Sequence, residues 1–125
     1  MKTIHTIILL AGLGLAAVHS CFAASSTIEF AQGGYFGALE SAATAIVEVR
    51  RSGEMNSTAT IDYATLEGTA KSSVDYVATS GTLTFAAGET LKIFSVTVLD
   101  NGRLDGERKV NLHLSNPAGA TVSAE

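Results

Sequence analysis

The sequence predicts an all-β fold, an antiparallel β-sandwich of about six or seven strands. From residue 27 onward, apolar residues recur at every second position in short runs bounded by Gly, Ser, Asn or Asp. Beyond residue 24, no stretch keeps apolar residues at helical spacing over three turns, and Thr, Val, Ile and aromatic residues are concentrated in the runs. We therefore expect strands buried on one face and almost no helix.

The first 23 residues have the pattern of an export signal. Lys2 opens the segment, residues 7–18 are apolar, and residues 21–23 form a small-x-small cleavage site. Because the apolar stretch is shorter than the roughly 20 residues of a membrane-spanning helix, we expect cleavage rather than anchoring. Residues 24–125 are then expected to form one domain of an exported protein, located in the medium, in the periplasm or on the cell surface.

Cys21 leaves a second targeting route open. A cysteine just after an apolar stretch is also the lipid-bearing residue of bacterial lipoproteins, although His19 stands where a small apolar residue is usual. On either route the folded domain has no disulfide, because Cys21 is the single cysteine of the chain.

The strands are expected in chain order, each with one apolar face. The alternating apolar positions are Ala45, Val47 and Val49; Ala59, Ile61 and Tyr63; Leu83 and Phe85; Phe94, Val96 and Val98; and Val110, Leu112 and Leu114. Turn residues separate these runs at 53–56, 67–69, 87–89, 101–102 and 115–117, a spacing typical of a sandwich.

The composition argues against several classes of function. The chain has twelve Asp and Glu against eight Lys and Arg, a formal net charge of −4, which disfavours nucleic acid and anionic lipid as partners. His113 is the one histidine beyond the signal, and it is expected on the solvent face of a strand. Without a second histidine or a cysteine, we expect no enzyme here.

Four acidic residues stand at strand ends, where alternate loops of a sandwich converge. They are Glu40, Asp75, Asp100 and Asp105. Calcium is the ion that such a cluster suits, because it takes about 6–8 oxygen ligands. The alternative is four independent, solvated loop acids. Tyr76, beside Asp75, is expected to be a packing anchor for its loop.

With these landmarks in place, the chain resembles a Calx-beta domain. The resemblance rests on four segments in order: ESAATAIVEVRRSG from Glu40, ATIDYATLEGTAKSSVDY, SGTLTFAAGET, and VLDNGRLDGERKVNLHLSNPAGAT. It implies an immunoglobulin-like β-sandwich that binds Ca²⁺ through loops at one end, with Glu40, Asp75, Asp100 and Asp105 as metal ligands and Asn101 as a further oxygen donor.

The chain also departs from the family pattern. Asn101 stands where a second Asp is usual, and Arg108 stands where a Glu is expected. The last strand is expected to be cut short, which would leave an open sheet edge. Three explanations stay open: a fragment of a longer chain, a strand donated by a partner or a second copy, and a sandwich that tolerates the gap.

Two functions follow from these observations. The first is an exported structural or adhesive module that binds calcium weakly through loop carboxylates. The second is a calcium-independent module that contacts a protein, a glycan or another cell-surface component, or the N-terminal part of a larger surface protein. Melting the domain with calcium and with chelator separates the first function from the second.

Overall fold

A computed structural model describes residues 25–31, 40–103 and 106–123. The predicted signal at 1–23 lies outside the described residues, and so does Asp105. The described chain forms seven strands: β1 (Ser26–Phe30), β2 (Thr44–Gly53), β3 (Ala59–Glu67), β4 (Ser80–Phe85), β5 (Leu91–Thr97), β6 (Val110–Ala118) and β7 (Thr121–Val122). One turn of 3₁₀ helix, Glu40–Ala42, precedes β2.

The strands form two sheets that pack face to face. One sheet has the order β5-β2-β1-β7 and the other β4-β3-β6. Neighbouring strands are antiparallel, except that β7 runs parallel to β1. The all-β sandwich that the alternating pattern predicted is confirmed.

The alternating apolar residues meet between the two sheets, as their period of two requires. The ring of Tyr63 on β3 stacks on Phe94 of β5, in the opposite sheet, with ring centroids 4.0 Å apart. Gly81 lies opposite Tyr63 in the β3–β4 pairing and leaves room for the ring. Among the described residues, the largest fully buried side chains are Tyr76, Phe85, Ile28, Ile61, Val47 and Val49.

Arg51 places a positive charge in this interior. Arg51 is in phase with Val47 and Val49 on β2 and is only 2% exposed. Its Nε donates to Ser26 Oγ at 2.7 Å, and its terminal nitrogens donate to the backbone carbonyls of Ser57, Glu54 and Ala86 at 2.8, 3.2 and 3.4 Å. The guanidinium therefore joins β1, β2 and two loops at one end of the sandwich.

The structure corrects the sequence prediction near the C-terminus. A break was expected at 115–117, but β6 continues through it to Ala118. An irregularity between Thr60 and Asp62 lets Thr60 pair with Ala118, and Asn116 Nδ2 donates to Asp62 Oδ2 at 3.0 Å. Pro117 is tolerated because β6 is an edge strand of its sheet, so an N–H is not required on its outer side.

The remaining differences lie at strand ends. β2 and β4 contain the predicted apolar runs 45–49 and 83–85, whereas β5 ends at Thr97, one residue before Val98, the last apolar position of its run. The shortened last strand is present as β7, whose two residues pair with Thr27 and Ile28. His113 is exposed on β6, as predicted.

Candidate functional site

A tight turn between β3 and β4 holds Asp75. Its backbone N–H donates to the carbonyl of Lys71 at 2.9 Å, and its Oδ2 accepts the Lys71 backbone N–H at 2.7 Å. Ser73, within the turn, has a left-handed φ of 65°, and its N–H donates to the Tyr76 carbonyl. The chain therefore closes on itself around the Asp75 carboxylate.

The extension of β5 fixes the other side of the turn. Leu99 N–H donates to the Asp75 carbonyl at 2.8 Å, and Val77 N–H donates to the carbonyl of Thr97 at 2.9 Å. Tyr76 forms a bridge with Val98 and is 2% exposed. Its predicted role as a packing anchor is confirmed, and its burial holds Asp75 at the end of the sandwich.

Asp75 carries a buried carboxylate. The residue is 8% exposed, and among the described residues it makes no ion pair. Its Oδ1 accepts Asn101 Nδ2 at 2.8 Å, while Asn101 Oδ1 accepts the Arg103 N–H at 2.9 Å. The amide orientation is fixed, because the carboxylate needs a donor and the backbone N–H needs an acceptor.

Of the other predicted ligands, the structure describes Asp100 in full and Glu40 only in its backbone. Asp100 is exposed, and its Oδ1 accepts the Gly102 N–H at 2.9 Å. The backbone of Glu40 belongs to the 3₁₀ turn that leads into Ala43, whose carbonyl accepts the Val98 N–H at 3.0 Å. The side chain of Glu40 and the whole of Asp105 lie outside what the structure describes.

Glu67, which the sequence did not single out, stabilises the turn through hydrogen bonds to Lys71 and Ser72. Its Oε1 accepts the backbone N–H and the hydroxyl of Ser72, and its Oε2 meets Lys71 Nζ, all at 3.1 Å. The Lys71 ammonium and these Ser72 donors lower the pKa of Glu67 below its ordinary value. The contact depends on the chain turning back after β3, so residue spacing gave no signal of it.

The donors that are described suit a hard cation in type. Asp75, Asp100 and Asn101 offer carboxylate and amide oxygens, the ligands that calcium prefers, and backbone carbonyls or water would complete the coordination. Within ranges 25–31, 40–103 and 106–123, no group of three or more His, Cys, Asp or Glu is placed to hold a metal ion. The same ranges hold no helix that could cross a bilayer.

Comparison with known proteins decides the family. The family model for the Calx-beta domain matches residues 23–124. The chain belongs to the Calx-beta family. Solved structures agree with this assignment: the apo-form Calx CBD1 domain superposes with a TM-score of 0.75 at 26% identity, covering 79% of this chain and 88% of that one. The immunoglobulin-like sandwich expected from the resemblance is thereby confirmed.

Relatives of this Calx-beta domain include much longer proteins. Sodium/calcium exchanger 1 of Canis lupus familiaris is 36% identical over 101 residues, which is 80% of this chain and 10% of the exchanger. The Bos taurus protein is 38% identical over 92 residues, 73% of this chain and 9% of the exchanger. The chain thus spans about a tenth of these relatives. The calcium binding domain CBD12 of CALX1.1 superposes with a TM-score of 0.69 at 27% identity, covering 73% and 38%.

Proposed function

We propose that this Calx-beta domain is an exported calcium-binding module with a structural or adhesive role rather than an enzyme. The ion is held weakly by loop carboxylates at the Asp75 end of the sandwich. The observation that carries the proposal is the buried Asp75 carboxylate with no ion-pair partner among the described residues.

Burying a charged carboxylate away from water costs free energy unless the charge is paired or hydrogen-bonded. Two N–H donors offset part of this cost at Asp75. A divalent cation would offset more of it, and Asp100 and the predicted ligands Glu40 and Asp105 would add negative charge around the same ion. The acidic balance of the chain would favour cation approach.

The relatives support the same function. One solved neighbour is named a calcium binding domain, and the curated relatives are sodium/calcium exchangers. We extend calcium binding, but not ion exchange, to this chain, since it covers about a tenth of each exchanger. With few described carboxylates we expect a Kd of about 10⁻⁴–10⁻³ M, the range of extracellular calcium modules.

Thermal melting of residues 24–125 in calcium and in chelator tests the proposal. For a Kd of about 1 mM, 10 mM calcium should stabilise the folded state by about 1.4 kcal/mol and raise Tm by about 5–10 °C. Asp75→Asn should abolish the rise. Asp62→Asn is the matched control, because Asp62 also accepts an asparagine amide but lies on an exposed sheet face. A wild-type Tm identical in both buffers would reject calcium binding.

A second candidate is a calcium-independent module that binds a protein or glycan on the same scaffold. It is favoured by the hydrogen bonds that Asp75 already makes through both carboxylate oxygens. In that case Asp75→Asn would melt at one temperature whether calcium or chelator is present, as would the wild type.

A further inference from the structure

We propose that Asn101 acts as a neutral lock on the calcium site: its side-chain amide occupies Asp75 Oδ1 when no ion is bound, and calcium must displace it. The inference rests on the proposed calcium function and assigns the residue that sets the affinity of the site. Asn101 is then a competitor of the ion rather than one of its ligands.

The first support is geometric. Asn101 Nδ2 donates to Asp75 Oδ1 at 2.8 Å, so the amide occupies an oxygen that a cation at Asp75 would use. The oxygen of the same amide is turned away and accepts the Arg103 N–H at 2.9 Å. To ligate an ion at Asp75, the amide would have to rotate and give up the hydrogen bonds to Asp75 and Arg103.

The second support comes from the rigidity of Asp75. Its backbone N–H donates a hydrogen bond to the Lys71 carbonyl, and its backbone carbonyl accepts one from the Leu99 N–H. Its Oδ2 accepts a hydrogen bond from the Lys71 N–H. The carboxylate therefore cannot swing away to meet an ion elsewhere. Asn101 is only partly buried and follows the end of β5. Of the two hydrogen-bonded side chains, Asn101 is therefore the one that moves when an ion binds.

Charge gives the third support. The amide satisfies a buried carboxylate without adding net charge, so the ion-free domain stays folded without a metal. An aspartate at the same position would face Asp75 at hydrogen-bond distance and repel it unless a cation lay between them. Position 101 therefore determines how strongly folding depends on calcium.

Three variants test the lock by isothermal titration with calcium chloride and by melting in calcium and in chelator. Asn101→Ala removes the competing amide, so calcium should bind more tightly than in the wild type, while Tm in chelator falls. Asn101→Asp should bind calcium at least about tenfold more tightly. Its Tm in chelator should fall by about 4 °C or more.

Asn116→Asp is the matched control, because Asn116 donates to the carboxylate of Asp62 on an exposed sheet face. It creates a similar pair of facing carboxylates, and it should leave calcium affinity unchanged.

The outcomes separate the lock from the proposed function. If Asn101→Ala weakens calcium binding, Asn101 is a ligand and the lock is wrong, although the calcium function stands; an affinity unchanged in Asn101→Ala also overturns the lock. If the wild type does not bind calcium and Asn101→Ala does, the lock is supported and the calcium function of the natural domain fails. If Asn101→Asp gains no affinity over the wild type, the lock is overturned.

Discussion

Replacing Arg51 with alanine should cost this domain a large part of its stability. Arg51 is 2% exposed, and its guanidinium makes two short hydrogen bonds, to Ser26 Oγ and the Ser57 carbonyl, at 2.7 and 2.8 Å. Charge-assisted bonds contribute about 1.5 kcal/mol or more each, so losing both costs about 3 kcal/mol. The lost packing of the buried aliphatic stem adds about 1 kcal/mol.

The total of about 4 kcal/mol is large against the roughly 5–15 kcal/mol that stabilises a typical domain. In urea denaturation, with an m-value near 2 kcal/mol/M, the midpoint should fall by about 2 M. Arg51→Lys keeps the charge but cannot reach all the acceptors of the planar fork, so its midpoint should fall by an intermediate amount. This variant keeps the test informative if the alanine variant does not fold.

Arg50 provides the matched control, because it is the next residue on β2 and points outward. Its side chain is 59% exposed and lies 4.0 Å from Glu48, so Arg50→Ala should change the free energy of unfolding by less than about 0.5 kcal/mol. If Arg51→Ala were no more destabilising than Arg50→Ala, the reasoning from the buried guanidinium would be refuted.

Two further predictions concern the sheets and acid stability. Gly81→Ala should lower the urea midpoint, because an added Cβ would lie 2.8 Å from the hydroxyl of Tyr63. The Tyr63 ring is stacked on Phe94 and has little freedom to move away. A Gly→Ala change without such a clash would instead raise the midpoint. Hydrogen bonds lower the pKa values of three carboxyls below their ordinary 3.8 (Asp) and 4.5 (Glu): Asp62, Glu67 and Glu89. The folded state therefore binds fewer protons than the unfolded state in acid. The ionised carboxyls stabilise the folded state above the ordinary pKa values, and this stabilisation is lost as pH falls through the folded-state pKa values. Urea midpoints should decline below about pH 4.5, less steeply in Glu67→Gln, and a midpoint independent of pH from 7 to 3 would contradict the assignment.

The alternating pattern predicted the sandwich because burial of one face is a local property of each strand. Leu83 and Phe85 were expected on an inward face and are buried there. Arg51 was missed although its phase matches Val47 and Val49, because its charge outweighed its position in the pattern. The pairing of β7 with β1 could not be predicted, since two residues carry no period.

The site was less predictable than the fold. Spacing placed Asp75 and Asp100 at strand ends, and the structure puts both beside the end of β5. Residue spacing could not show that Asn101 donates to Asp75, because the orientation of the amide depends on a contact with Arg103 that no periodic pattern encodes. The same holds for the support that Glu67 gives to the turn.

The backbone bonds around Asp75 have a consequence for how an event at this site would spread. Its main chain is tied to Lys71 on one side and to Leu99 on the other, whereas Asn101 reaches the site from the loop that leaves β5. The backbone of Asp75 is therefore held in place, while the loop that carries Asn101 can adjust. Ligand occupancy should therefore change hydrogen exchange at the amides of Gly102 and Arg103 and leave that of Leu99 unaltered, so the signal would travel along the β5–β6 connection instead of through the sandwich.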